Sequence, residues 1–402
     1  MKKTKSFHIL VWVILGGTVF TRIASFMAIP FLALYLHNTQ DVHPILIGLT
    51  VGVAPLVSTI GGFIGGYLTD RFGRKKVILT TIFVWSFVFI GFGLAKSIYL
   101  FIFLNALNGL CRSFFEPSTQ ALMIDFTEPN QRKRMFTLRY TAINIAGVIG
   151  PLLGAYIATV STQSIPFFIT GFMYCLYGVF LFVILNRYTM RQVISKSPVH
   201  IYQMLKIVSS NRALVFFILG AIFINIGYSQ LDSTIPQFLE MNFENGVYLY
   251  SVIISLNAAI VILLQFPISL WSEKLSAVNA MTIGIIFFVA GYILFIFGTN
   301  LPMLIVAITV ITLGEIFTFP SMNILIDQIA PDDQKGTYLG AAQFRNIGSF
   351  VGPIIGGWLL TFGSGAYLFG TMALLVLLSI IFYRAGDHVA QSNKEVQRFE
   401  AL

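Results

Sequence analysis

Apolar residues in this chain run in long uninterrupted stretches. They fall at 8–36, 44–69, 77–96, 98–125, 135–160, 166–186, 213–239, 247–270, 277–298, 302–327, 337–362 and 365–384. Most are close to the ~20 residues that a helix needs to cross a bilayer. A membrane barrel strand would instead alternate apolar and polar residues over about ten positions. The pattern therefore predicts twelve transmembrane helices in an all-α integral membrane protein. The first run opens as "MKKTKSFHILVWVILGGTVF", in the manner of a secretory leader. No small-x-small cleavage site follows and the apolar stretch resumes through Leu36, so it is read as a retained first span.

Composition agrees. Hydrophobic residues make up 56% of the 402, charged residues 10%, and mean hydropathy is +0.83. A soluble domain carries about 25% charged residues. Cys111 and Cys175 both fall inside apolar spans, where a cysteine is an ordinary small packing residue. His8, His37, His43, His200 and His388 are scattered near span ends and loops. No CxxC, HExxH, Walker or GxSxG pattern is present. The chain reads as no enzyme, with no cofactor and no metal.

The net charge of +9 is a matter of topology. Lys2, Lys3, Lys5, Arg71, Arg74, Lys75, Lys76, Arg132, Lys133, Arg134, Arg187, Arg191, Lys196, Lys206, Arg212, Lys274, Lys335, Arg384, Lys394 and Arg398 fall on one side of the predicted spans, and Lys96 alone on the other. The positive-inside rule then places both termini in the cytoplasm of a multi-pass protein of the cell (inner) membrane. Contact with anionic lipid accounts for the basic excess, so the bilayer is the expected partner and nucleic acid is not.

The two halves are copies. "MIDFTEPNQRKR" (123–134) aligns with "LIDQIAPDDQKG" (325–336), and "NIAGVIGPLLGAY" (144–156) with "NIGSFVGPIIGGW" (346–358). Asp125, Pro129, Lys133, Asn144, Gly150, Pro151 and Gly154 fall on Asp327, Pro331, Lys335, Asn346, Gly352, Pro353 and Gly356. The expected organisation is a six-helix bundle at 1–186, a cytoplasmic linker at 187–212 with a short interfacial helix, a second bundle at 213–386 and a cytoplasmic tail at 387–402. Parallel repeats of this kind place a site near the bilayer midplane and work by rocking. A small molecule is the natural cargo.

Two motifs carry a family resemblance over essentially the whole chain. "GGYLTDRFGRKK" (65–76) sits in the predicted turn between spans 2 and 3. It matches motif A of the major facilitator superfamily, G-x-L-x-D-R-x-G-R-[KR]. Gly66 permits close helix approach and Gly73 a tight turn. The resemblance implies that Asp70 helps latch a cytoplasmic gate, with Arg71, Arg74 and Asp125 as partners. "GVIGPLLGA" (147–155) resembles the antiporter motif of proton-linked drug exporters, G-x-x-x-G-P-x-x-G-G, with Ala155 in place of the final glycine. Gly147, Gly150, Pro151 and Gly154 supply the hinge, and Gly352, Pro353 and Gly356 repeat it in span 11. Drug exporters usually carry a span-4 arginine four residues before a glycine. Asn105 holds that place before Gly109, and the arginine is Arg112 instead.

Six ionisable residues lie well inside predicted spans: Arg22, Arg112, Glu116, Asp232, Glu315 and Arg345. Each costs at least ~2.5–3.5 kcal/mol at a lipid-facing helix centre, so each must face a cavity, find a partner or change protonation. Arg112 and Glu116 are four apart on one helix face. They are either a structural pair or a pair that Glu116 leaves on taking a proton. Asp232 and Glu315 have no opposite charge within a turn on their own helices; they either couple protons or bridge to Arg22 or Arg345. Three buried arginines exceed the needs of a cavity for lipophilic cations, so some suit an anionic or zwitterionic group on the cargo. The candidates are Asp232, Glu315 and Glu116 for proton coupling, and Arg22, Arg112, Arg345 and Tyr228 for the substrate cavity.

The resemblance implies a proton-coupled secondary transporter, a monomer that exports drugs or other small amphipathic molecules by alternating access. Two alternatives stand beside it: a facilitator for one charged metabolite, chelator or lipid, and a transporter-shaped sensor or assembly protein that moves nothing.

Overall fold

The computed structural model describes residues 7–40, 42–128, 131–188, 211–272, 274–331, 338, 341–362 and 364–400. Their regular structure is helical: α1 (Ile9–Ala28), α2 (Leu32–Gln40), α3 (Pro44–Phe72), α4 (Arg74–Leu94), α5 (Ile98–Asp125), α6 (Arg132–Val160), α7 (Ile165–Asn186), α8 (Arg212–Tyr228), α9 (Gln230–Asn242), α10 (Gly246–Ser272), α11 (Ala277–Ile296), α12 (Leu301–Ile329), α13 (Asn346–Leu360) and α14 (Gly365–Glu400). Within a membrane only helices and closed barrels satisfy every backbone donor and acceptor, which is why these apolar runs fold this way.

Eleven spans among the described residues are long and apolar enough to cross a bilayer. The eleventh predicted span, 337–362, is described at 338 and from 341 on, as a 3₁₀ turn at Ala342–Arg345 followed by α13, 15 residues long. The first predicted span is α1 and α2 joined through a 3₁₀ turn at Ile29–Phe31, where Pro30 withholds a backbone donor. The seventh is two helices, α8 and α9, meeting at Ser229. The predicted linker helix lies outside the described residues. The predicted tail from 387 is helical through Glu400.

Described residues group into two compact units. One takes Met1–Val42, Val57–Pro198 and Tyr250–Ala259; the other takes His43–Leu56, Val199–Leu249 and Ile260–Leu402. Thus α3 and α10 each contribute residues to both units.

In the first unit α1 packs on α6 and α7, and α4 on α5 and α7. Lipid tails are as apolar as leucine, so close packing and buried hydrogen bonds must hold such helices together. Thr170 Oγ1 donates to the Ala24 carbonyl at 2.7 Å and Ser86 Oγ to the Gly171 carbonyl at 2.7 Å, tying α7 to α1 and α4. Phe89 stacks on Tyr174 with ring centroids 5.2 Å apart, and Phe92 on Phe101 at 6.1 Å. Each such aromatic pair contributes ~0.5–1.5 kcal/mol beyond area burial. In the second unit α8 packs against α13 and α14, and α11 against α12 and α14. Phe369 is the hub of an aromatic cluster with Phe238 and Phe295, at 4.9 and 5.1 Å.

The repeated glycine–proline motif has the same use in both units. A Cβ on Gly150 would fall 2.6 Å from Phe26 Cβ and 2.9 Å from the Ile23 carbonyl; one on Gly154 would meet the Met27 carbonyl. Gly352 is pressed against the Ile226 carbonyl and the Ser229 hydroxyl, and Gly356 against the Gln230 side chain and Thr234. So α6 closes on α1, and α13 on α8 and the start of α9. Pro151 and Pro353 sit inside helices that continue through them. Gly147 faces Ala258 near the middle of α10, within the first unit.

Candidate functional site

The charged site is built on three helices of the first unit. Arg22 projects from α1, Glu116 from α5 and Arg139 from α6, and Glu116 accepts from both arginines, one on each oxygen. The side chains of Arg22 and Arg139 are 12% exposed and that of Glu116 is 19% exposed, so these ionic bonds form in a largely desolvated place. Arg112, one turn before Glu116 on α5, is itself exposed and adds its charge to the field at Glu116. Sequence reading placed Arg22, Arg112 and Glu116 in the membrane, but it paired Glu116 only with Arg112, on its own helix. The guanidiniums bonded to it come from neighbouring helices.

Arg139 is the site residue that sequence reading missed. It follows Arg132, Lys133 and Arg134, a run read as topology signal. Yet α6 begins at Arg132, so Arg139 already stands two turns inside the helix. With it the charged residues well inside the spans number four bases and three acids rather than three and three.

The surroundings position this cluster. Tyr174, fully buried on α7, shares a hydrogen bond with Ser25 one turn from Arg22. On α5, Asn108 donates to Asn105 at 2.9 Å and accepts from the Trp85 indole N–H at 2.7 Å. Asn105, where drug exporters usually carry arginine, is therefore a member of a buried neutral network that locks α5 to α4.

Charges in the second unit are arranged differently. Glu315 on α12 accepts from the Tyr228 hydroxyl at 3.1 Å, and Tyr228 sits edge-on to Phe319 at 4.9 Å. Arg345 donates to Met322 Sδ at 3.2 Å and reaches Asn323 Oδ1 at 3.4 Å. Asp232 is exposed in the first turn of α9, where the helix dipole favours a carboxylate. The break before α9 is satisfied locally: Gln230 Nε2 donates to the Ile226 carbonyl at 2.6 Å and Ser229 Oγ to the same oxygen at 2.9 Å.

At the gating motif, Gly73 alone among the described glycines has a positive φ, 84°. It lets the chain reverse between α3 and α4 in a region that side chains avoid. Arg74, the first residue of α4, forms an ion pair with Asp125, the last of α5, and donates to the Ala121 carbonyl at 3.0 Å. A cation at a helix start and an anion at a helix end both oppose the helix dipole, so each offsets the other's unfavourable position. Gly66, Asp70 and Arg71 lie in α3, and their side chains are outside the described set.

An apolar groove of about 610 Å³ lies between α1 and α7, lined by Trp12, Gly16, Gly17, Phe20, Leu176 and Phe180 among others. Its lining carries no Asp, Glu, Lys, Arg or His side chain, unlike the charged cluster.

Known proteins agree with this architecture. A family model described as Major Facilitator Superfamily matches residues 14–345 and 249–400. The chain is 36% identical over 388 residues to a Bacillus subtilis protein named "Uncharacterized MFS-type transporter YqjV", covering 95% of this chain and 94% of that one. It is 26% identical to a "Na(+), Li(+), K(+)/H(+) antiporter" of Planococcus maritimus, over 93% and 95% of the two chains. It is 24% identical to the "Multidrug resistance protein MdtH" of Escherichia coli, over 85% and 84%. A crystal structure titled as a peptide transporter POT superposes with a TM-score of 0.80 at 12% identity, over 95% of each chain, a likeness of fold. By its twice-repeated helices and by these matches, the chain belongs to the Major Facilitator Superfamily, transporters rather than enzymes.

Proposed function

We propose that this chain is a proton-coupled exporter that moves small amphipathic molecules across the cell membrane in exchange for protons, with Glu116 as the proton-exchanging acid. The observation that carries this reading is the sharing of the Glu116 carboxylate by Arg22 and Arg139 across three helices. A carboxylate in a low-dielectric place keeps its charge while cations face it, and takes a proton when they withdraw. Relative movement of α1, α5 and α6 therefore converts helix position into proton affinity. Cargo loads while the clamp is closed; the proton loads while it is open. Each excludes the other through the conformation it needs, which is exchange by population shift.

Asp232 and Glu315 are second candidates for the same task, Glu315 through its bond to Tyr228. The rocking elements are the two six-helix halves, linker between them, with both termini cytoplasmic and one chain sufficient for the cycle. The Arg74–Asp125 pair, with Asp70 and Arg71 beside it in sequence, latches the cytoplasmic end. The names of the antiporter and multidrug relatives support exchange and export.

The test is transport itself. The protein is reconstituted into liposomes holding a pH-sensitive dye, a pH gradient is imposed, and cationic, zwitterionic and anionic amphipaths are added in turn. Cargo-triggered proton movement that vanishes in Glu116→Gln supports the reading. Cargo uptake without proton movement in the wild type contradicts it.

A further inference from the structure

We infer that the arginine cluster of the first unit binds an anionic group of the cargo, a carboxylate or phosphate, alongside the Glu116 carboxylate. The inference rests on the transport function proposed above and names its substrate class.

Charge makes the first argument. Two guanidiniums share one carboxylate in a largely buried place, and Arg112 adds a third positive charge to the same field. A structural ion pair between helices needs one base for its acid. Each further buried guanidinium adds desolvation cost, and Arg22 and Arg139 also repel each other. An oxyanion beside them relieves both.

Geometry makes the second. Arg139 Nε is buried and has no hydrogen-bond partner, although the same guanidinium gives its Nη2 to Glu116. A guanidinium offers its donors as a planar fork suited to paired oxygens, so one edge of Arg139 is spent on Glu116 while Nε retains an unmet donor. Buried donors left unmet cost ~1–3 kcal/mol, and a carboxylate or phosphate oxygen is the acceptor that also answers the charge. Arg112, being exposed, keeps the cluster within reach of a solute.

Asymmetry makes the third. In the repeat alignment Arg139 falls opposite Ala341, a fully buried alanine. The second unit therefore closes α13 on α8 with no base at this position; Arg345, one turn on, reaches Met322 and Asn323 on α12 instead. Arg139 is an addition of the first half, which points to a ligand rather than to helix packing. The groups that face the cluster are Arg22 on α1, Arg112 and Glu116 on α5, Arg139 on α6 and Tyr174 on α7.

Binding by the full chain in lipid nanodiscs tests this at constant ionic strength. The probes are naphthylacetate, its uncharged amide, the matching naphthylethylamine, and inorganic phosphate. The carboxylate should bind at least ten-fold more tightly than the amide, with the amine weakest, and phosphate should raise the melting temperature. Arg139→Gln should bring carboxylate and amide to parity, and Arg139→Lys should restore part of the preference. Arg112→Gln serves if the Arg139 variants fail to fold, and should lower the preference several-fold. A preference for the amine, equal binding of carboxylate and amide, no binding of any probe, or an unchanged preference in every arginine variant overturns the inference. Failure of proton exchange in the wild type would leave these binding results as they are, so the two readings fail separately.

Discussion

If Arg22, Glu116 and Arg139 act as one electrostatic unit, their substitutions must be non-additive, and in a particular order. Glu116→Gln leaves two largely buried guanidiniums, with Arg112 nearby, and no carboxylate between them. Breaking a buried pair from one side typically costs ~3–5 kcal/mol. Arg139→Leu costs less, because Arg22 still holds Glu116 and the Arg22–Arg139 repulsion disappears. About 1–3 kcal/mol is expected, the lower half reflecting residual exposure of roughly an eighth to a fifth at these side chains. The double variant removes one excess cation along with the acid, so it should be more stable than Glu116→Gln alone. A coupling energy of ~1–3 kcal/mol is in the range for directly bonded neighbours. The assay is thermal unfolding of wild type, both single variants and the double variant in one detergent at low salt. For a unit of about 200 residues the coupling corresponds to a shift on the order of 5 °C. Additive losses, with the double variant the least stable of the four, would refute the idea that the three residues share their energy.

Other predictions follow from single contacts. Gly154→Val should lower the melting temperature sharply, since its Cβ meets the Met27 carbonyl and lies 2.6 Å from Phe31 Cε2; overpacking of this kind costs ~1–3 kcal/mol and a rigid carbonyl puts it at the upper end. Gly73→Ala should cost ~1–3 kcal/mol through its backbone conformation at φ 84° and speed proteolysis in the α3–α4 turn. Arg74→Gln should slow transport several-fold while leaving expression and ligand binding near wild type, and the swap Arg74→Asp with Asp125→Arg should recover much of the rate, because swapped charges also suit the two helix ends. Asp70→Asn should show the same separation of transport from binding; wild-type rates there would remove Asp70 from the latch.

The parts of this architecture that depend on local chemistry could be read from the chain. Span positions follow from run length, the turn at Gly73 from a glycine between basic residues, and the paired glycine–proline motifs from the repeat. What escaped was set between helices. Arg22 and Glu116 are 94 positions apart, and no periodicity announces that α1 meets α5 there. Arg139 was hidden by the basic run before it, since two turns of helix had to be counted from Arg132 before its depth showed. The break at Ser229 was also invisible, because Gln230 and Thr234 read as polar residues in a span. In the fold Gln230 accepts from Thr234 at 2.6 Å and answers the carbonyl freed at Ile226. The Asn105–Asn108–Trp85 network likewise joins two helices, so Asn105 looked only like the absence of an arginine.

The central claim is that Glu116 exchanges the proton that drives cargo movement. It is tested most directly by comparing two transport modes of Glu116→Gln in the same liposomes. In exchange mode, labelled and unlabelled cargo are present on both sides at equal concentration and no proton need move; in driven mode a pH gradient supplies the only force. The claim predicts that the variant still exchanges cargo at saturating concentration yet accumulates none and moves no protons under the gradient. Driven transport with wild-type proton movement in Glu116→Gln would contradict it and pass the role to Asp232 or Glu315.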